Sequence, residues 1–202
     1  MSELKGRILT PEGWIDGSVG FTDRIASVTP GRVGKDAPVI LPGFIDLHTP
    51  GGGGADALGG EDSVRTIART HARFGTTSFL PSPVTAPGED LEKAVAAIGL
   101  VAAKRGADEA RVLGAHVEGP FLNPERLGAQ PPFTRAPDAG LAERLLAAGP
   151  VKIITLAPEL PGALELIRDL SKRGVRVLLG HSAASYEATL AALEAGAAGF
   201  TH

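Results

Sequence analysis

The sequence predicts an α/β protein: the first six strands of a (β/α)8 barrel, cut short, preceded by a small antiparallel β portion. Three observations carry this. Apolar runs of strand length alternate with helical periodicities from residue 41 onward. Polar residues capable of chemistry recur at the C-terminal ends of those runs, as at the rim of a parallel barrel. About 160 residues follow position 40, enough for five βα units and a sixth strand at about 32 residues each, whereas a closed barrel takes eight units and ~250 residues.

Residues 1–40 stand apart. Gly6–Thr10, Gly13–Val19 and Arg24–Val28 are short alternating runs, punctuated by Pro11, Gly17, Gly20, Asp23, Pro30 and Gly31. This is antiparallel material. Three such strands bury little alone, so they are expected to join another segment. Residues 41–202 then read as the barrel portion. Its strands are expected at 43–48, 76–80, 112–118, 151–156, 175–179 and 198–201, and its helices near 62–74, 88–105, 138–148, 161–173 and 185–196. In the first helix Val64, Ile67, Ala68, His71 and Phe74 share a stripe. In the last, Tyr186, Leu190, Leu193 and Ala197 share one, with Ser185 as N-cap.

Composition excludes several classes. Hydrophobic residues are 43% and charged residues 21% of the 202, near globular averages of about 45–50% and 25%, so a core is affordable. Net charge is −3 with no basic run, against a nucleic-acid partner. The absence of cysteine excludes disulfide scaffolds, thiolate metal sites and cysteine nucleophiles. No run nears the ~18 apolar residues of a membrane span, and the first residues lack a secretory pattern. Twenty-seven glycines and sixteen prolines point to many tight loops. The expectation is a soluble cytoplasmic protein.

Five histidines narrow the chemistry. His48, His181 and His202 lie at or just past strand ends, and His116 lies two residues before Glu118. A period of two puts His116 and Glu118 on one face. His71, on a helix stripe, reads as a packing residue. In a parallel barrel His48, Glu118, His181 and His202 would surround one cavity. Imidazole and carboxylate suit Zn²⁺ or Fe²⁺, although strand-end polar groups can also simply cap a rim. Asp46 shares the face of Phe44 and His48 but lies deeper, as an interior anchor. Gly51–Gly54 reads either as a loop whose amides approach an anion or as a flexible connection. It matches neither a P-loop nor a dinucleotide fingerprint. The long segment from Pro120 to Pro137 follows Glu118 over the presumed mouth, and Gln130 there could offer its amide to a substrate carbonyl. Glu159 reads as a structural rim carboxylate.

Pro42-Gly43-Phe44-Ile45-Asp46-Leu47-His48 resembles the opening strand of the amidohydrolase superfamily. His116-Val117-Glu118-Gly119-Pro120-Phe121-Leu122-Asn123 with Gly128-Ala129-Gln130 resembles N-acetylglucosamine-6-phosphate deacetylases. Thr155–Glu159, Gly180-His181-Ser182 and Phe200-Thr201-His202 follow in that family's order, so the resemblance covers essentially the whole chain. It implies a (β/α)8 barrel with a small β-sandwich built from both chain ends, to which residues 1–40 would belong, and metal-dependent hydrolysis of the acetamide of N-acetyl-D-glucosamine 6-phosphate to acetate and glucosamine 6-phosphate, with metal-activated water as nucleophile. It implies Glu118, His181 and His202 as metal ligands, Ala129 and Gln130 as a substrate-contacting pair, and His48 and His116 as accessory residues. Members with two metals carry His-x-His after the first strand. Here Pro50 replaces the second histidine, so one divalent ion is expected, zinc first and iron second. The family's general-base aspartate and most phosphate contacts are expected beyond His202, so residues 1–202 alone are expected to be inactive. A homodimer is expected at full length. The alternatives are another amidohydrolase, such as a dihydroorotase-like cyclic amidase, or a metal-binding fragment without activity.

Overall fold

The computed structural model describes residues 1–202, which separate into two compact units, Met1–Gly43 and Phe44–His202. In the first, β1 (Ser2–Thr10) and β2 (Gly13–Phe21) form an antiparallel hairpin. β3 (Ile25–Pro30) pairs antiparallel with β2, and β4 (Val39–Ile40) pairs parallel with the other edge of β1. The order is β3-β2-β1-β4. The sequence reading missed β4 because a two-residue strand has no period to read. One face of this sheet is apolar, with Ile8, Val19, Ile25, Val28 and Ile40 around an open cavity.

The second unit is α/β. It contains β5 (Phe44–Thr49), β6 (Gly51–Gly52), β7 (Ala55–Asp56), α1 (Glu61–Ala72), β8 (Thr76–Pro81), α2 (Gly88–Ala103), β9 (Arg111–Val112) and β10 (Ala115–Glu118). There follow α3 (Ala139–Ala148), β11 (Val151–Leu156), α4 (Ala163–Lys172), β12 (Arg176–Leu179), α5 (Tyr186–Glu194) and β13 (Gly199–Phe200). All five expected helices form, each with ends within a few residues of the expectation. α3 and α5 begin on side-chain caps: Asp138 accepts from the Leu141 amide and Ser185 from the Ala188 amide. α4 buries Ala163, Leu166, Ile167 and Leu170, the i, i+3, i+4, i+7 stripe of a helix lying on a sheet.

Two parallel ladders hold the strands, β5-β8-β9 and β10-β11-β12-β13. The single strand expected at 112–118 is broken at Leu113-Gly114. Gly114 has φ 141°, and a Cβ there would run into the Pro150 carbonyl oxygen, so only glycine fits. Hydrogen bonds bridge the break: Leu113 N donates to Phe79 O at 3.0 Å and Glu118 N to Pro83 O at 3.1 Å. Helices and strands meet in one core, with Phe79, Val117, Ile154, Leu156 and Val177 from strands and Ile67, Leu91, Ile98, Leu141, Leu145, Ile167 and Leu170 from helices.

Two local readings are corrected. Gly51–Gly54 is a tight hairpin and not a loose connection. Gly51 and Gly52 pair antiparallel with Asp56 and Ala55, and Gly53 and Gly54 turn the hairpin at φ 63° and 82°, the positive values a two-residue hairpin turn requires. The apolar stripe of α5 does not face the core: Tyr186, Leu190 and Leu193 are exposed and only Ala192 is buried. The period forecast the helix correctly but not which face would be covered. Phe74, just past α1, is likewise exposed, while Val64, Ile67 and Ala68 are buried. His71 packs as expected, its ring stacked on Phe79 with Nε2 against Gly51 O at 3.2 Å.

Candidate metal centre

The parallel ladders bring the C-terminal ends of β5, β10, β12 and β13 together, and with them four of the five histidines. Glu118, the last residue of β10, is buried. Its Oε1 stands 3.1 Å from His181 Nε2 and 2.9 Å from His202 Nε2, and those two nitrogens are 3.3 Å apart. Donors bound at 2.0–2.1 Å by a tetrahedral ion stand about 3.3 Å from one another, so the three atoms have the spacing of one face of such a site. His48 Nε2 lies 3.7 Å from the other oxygen, Oε2. The set His48, Glu118 and His202 is looser, its donor atoms lying within 4.8 Å of one another.

His181 follows β12 in the left-handed region at φ 51°, a conformation that costs a non-glycine residue about 1–3 kcal/mol. Neighbours hold it there. Its carbonyl accepts from Asn123 N at 3.0 Å, and its Nδ1 faces Arg126 O at 3.0 Å. A carbonyl only accepts, so Nδ1 carries a proton, and Nε2 is the atom turned toward Glu118 and His202. Two imidazoles and a carboxylate at this spacing are a donor set that fits a divalent ion.

The floor of the site is a polar chain the sequence reading only partly foresaw. His116 Nδ1 donates to Leu47 O at 2.8 Å, and Nε2 meets Thr155 Oγ1 at 2.8 Å. Thr155 Oγ1 meets Thr201 Oγ1 at 2.6 Å. Burial pushes the His116 imidazole down to about 4, so it is neutral and lies below the trio. His48, also lowered by burial, sits beside His116 with Nδ1 atoms 3.4 Å apart. Burial pushes Glu118 up, but the neighbouring imidazoles, His48 first and then His181 and His202, oppose it, and the carboxyl is held below its ordinary range. Asp46 is occupied locally, accepting from His48 N at 3.0 Å. Thr155 carried a signal, a hydroxyl inside the run Ile153-Ile154-Thr155-Leu156. Asn123 and Arg126 act through backbone groups, which side-chain identity does not reveal.

The segment from Pro120 to Pro137 closes over the centre. Ala129 is exposed and Gln130 buried. Gln130 donates from Nε2 to Glu118 Oε2 at 2.6 Å and accepts at Oε1 from Thr85 N at 2.8 Å. Its amide is thus engaged on the protein at both ends.

Glu159 fastens the residues after His181. It accepts from Ser182 Oγ and Ala183 N, each at 2.6 Å, and from Asn123 Nδ2 at 2.9 Å. Burial raises this carboxyl, but the hydrogen bonds from Ser182, Asn123 and Ala183 outweigh burial and hold it below its ordinary value of 4.5. A carboxyl lowered by folding adds stability that is complete above its unfolded value and is lost as pH falls through the folded one. Glu159→Gln is therefore expected to be less stable than wild type near neutral pH and to converge on it in acid. Denaturant midpoints measured from about pH 7 down through the carboxylate range check this, and parallel curves would contradict it.

No family model matches the chain. Among curated proteins it is 39% identical over 205 residues to an N-acetylgalactosamine-6-phosphate deacetylase of Escherichia coli O157:H7, covering 97% of this chain and 54% of that protein. It is 40% identical over 206 residues to the N-acetylglucosamine-6-phosphate deacetylase of Homo sapiens, covering 98% of this chain and 48% of the relative. The crystal structure of N-acetyl-D-glucosamine-6-phosphate deacetylase from Mycobacterium smegmatis superposes with a TM-score of 0.86 at 34% identity, over 98% of this chain and 55% of that one. The chain spans about half the length of the curated relatives it matches. The resemblance read from His116–Asn123 is borne out: the neighbours in sequence and in structure are deacetylases of phosphorylated N-acetyl amino sugars.

Proposed function

We propose that this chain supplies the metal centre of an enzyme that hydrolyses the acetamide of N-acetyl-D-glucosamine 6-phosphate to acetate and glucosamine 6-phosphate. The observation that carries the reading is the trio of donor atoms at 2.9, 3.1 and 3.3 Å, one from each of three parallel strand ends. Glu118, His181 and His202 would hold one divalent cation, zinc by the donor set, with iron the alternative. When bound, that cation supplies Lewis-acid chemistry, making hydroxide available at neutral pH and polarising the acetamide carbonyl. The chain's own residues prepare for it. Arg126 O sets the His181 tautomer. The neutral, buried His116 closes the floor without adding charge. The 120–137 segment shields Glu118 from water, which strengthens every charge interaction within. A general-base aspartate beyond His202 belongs to this reading, as does a homodimer. In support of the aspartate, the Mycobacterium smegmatis enzyme has been crystallised as an aspartate-to-alanine variant in complex with N-acetyl-D-glucosamine-6-phosphate.

The barrel belongs to the proposal as well. Strand order runs β5-β8-β9 and β10-β11-β12-β13 in chain sequence without reversal, and the two ladders join at Glu118 N and Pro83 O. A doubly wound sheet reverses order at a switch point; a barrel does not. On this reading Met1–Gly43 is part of a small sandwich, and its open apolar face awaits further strands.

The Escherichia coli relative favours a second substrate, the galactose-configured epimer. The test is acetate release by the natural-length protein from N-acetylglucosamine 6-phosphate and from N-acetylgalactosamine 6-phosphate, with dihydroorotate as control. Release from the glucose epimer at the higher kcat/KM supports the proposal. A preference for the galactose epimer selects the second reading, and turnover of dihydroorotate alone overturns both.

One prediction separates the tight trio from the looser set. His48→Ala is expected to keep about one metal per chain with a modest loss of rate, because His48 lies nearest the oxygen that Gln130 already engages and Pro50 offers no second ligand. Loss of all metal on elemental analysis would place His48 among the ligands.

A further inference from the structure

We infer that Gln130 is a positioning residue for the Glu118 carboxylate and is not a donor to the substrate. The inference rests on the metal reading of Glu118 given above. The Thr85 amide must have an acceptor, because Thr85 is fully buried and an unpaired buried donor costs about 1–3 kcal/mol. That acceptor is Gln130 Oε1 at 2.8 Å. This fixes which end of the side chain is oxygen, so Nε2 is the end that meets Glu118 Oε2, at 2.6 Å. The carboxylate is then divided: Oε2 is bound to Gln130, and Oε1 is turned to His181 Nε2 and His202 Nε2. Oε1 is the oxygen left facing the two imidazole nitrogens.

The same short segment grips Glu118 by its backbone. Glu118 N donates to Pro83 O at 3.1 Å, and its carbonyl accepts from Thr85 Oγ1 at 3.2 Å. Gln130 completes a frame that holds the residue at its amide, its carbonyl and its carboxylate. A side chain with a donor at one end and an acceptor at the other is required, and glutamine has the length to span from Thr85 to Glu118. Groups that orient ligands in this way typically account for 10–100-fold in metal affinity.

The test is made on the natural-length protein, with zinc as the probe. Gln130→Met keeps length and bulk but removes both hydrogen bonds. Gln130→Glu keeps the acceptor for Thr85 and sets a second carboxylate against Glu118. Zinc affinity is read by competition with a chromophoric chelator, and kcat and KM are read separately at saturating zinc. The expected result is a 10–100-fold weaker zinc affinity in Gln130→Met, a larger loss in Gln130→Glu, and KM for the sugar phosphate within about twofold of wild type in Gln130→Met. Zinc affinity unchanged in both variants, with KM raised or kcat lowered at saturating zinc, assigns the amide to substrate and overturns the inference alone. Wild-type protein that takes up no zinc overturns the metal reading and this inference with it.

Discussion

Glu118→Ala is expected to lose bound metal and acetate release together, the largest effect of any single substitution in the chain. The carboxylate is the anion that His48, His181 and His202 all face. Its Oε1 is the atom both His181 Nε2 and His202 Nε2 approach. Without it a divalent cation would keep two neutral imidazoles on strand ends and no compensating charge. Removing one oxyanion-hole donor from an enzyme costs about 10²–10³-fold in kcat. Losing a cation that both activates water and polarises the carbonyl should exceed that. The substitution also orphans Gln130 Nε2, at about 1–3 kcal/mol for an unsatisfied buried donor, so reduced thermal stability is expected alongside. Elemental analysis of the purified variant, with circular dichroism to confirm folding, separates the effects. Stoichiometric metal in a folded Glu118→Ala protein would refute the assignment. Glu118→Gln, which keeps the shape and removes the charge, is expected to fall between the two.

The features legible in the sequence were those with a period or an end. His116 and Glu118 share a face because strands repeat every two residues, and both prove buried on β10, the first strand of one parallel ladder. His48, His181 and His202 could be placed near Glu118 from their positions at strand ends, and the structure puts a nitrogen of each within 3.7 Å of its carboxylate. What was not legible depends on pairing across long separations. Nothing in Gly128-Ala129-Gln130 shows that the amide will be engaged by Thr85, forty-five residues earlier. Nothing in Arg126 shows that its carbonyl will set the tautomer of His181, fifty-five residues later. The α5 stripe failed for the opposite reason. Tyr186, Leu190 and Leu193 keep a clean helical period, but a period reports that a face is apolar and not what covers it.

Residues 1–202 expressed alone are expected to self-associate and to release no acetate at an enzymatic rate. The argument is in the sheet edges. β5 pairs only with β8, and β13 only with β12, so each leaves a row of backbone groups open. The side chains there are apolar: Phe44 is 64% exposed and Ile45 65% on β5, and Phe200 is 61% exposed on β13. An open six-residue edge that exposes Phe44 and Ile45 invites pairing with another chain, and exposed apolar side chains add to the drive. The edges also flank the metal centre, since His48 belongs to β5 and His202 follows β13. Association through them would disturb the donor geometry itself. Catalysis is expected to fail independently. Glu159 is tied up by Ser182, Ala183 and Asn123, and the reading proposed above places the general base outside these residues; a missing general base costs about 10²–10⁴-fold. Sedimentation velocity on residues 1–202 should show species larger than the 20.7 kDa monomer. Ile45→Lys, which places a charge on the β5 edge, should shift the distribution toward monomer without restoring activity. A stable monomer of residues 1–202 that releases acetate from N-acetylglucosamine 6-phosphate faster than about 1 s⁻¹, an ordinary enzymatic rate, would overturn both the open-edge argument and the need for a further base.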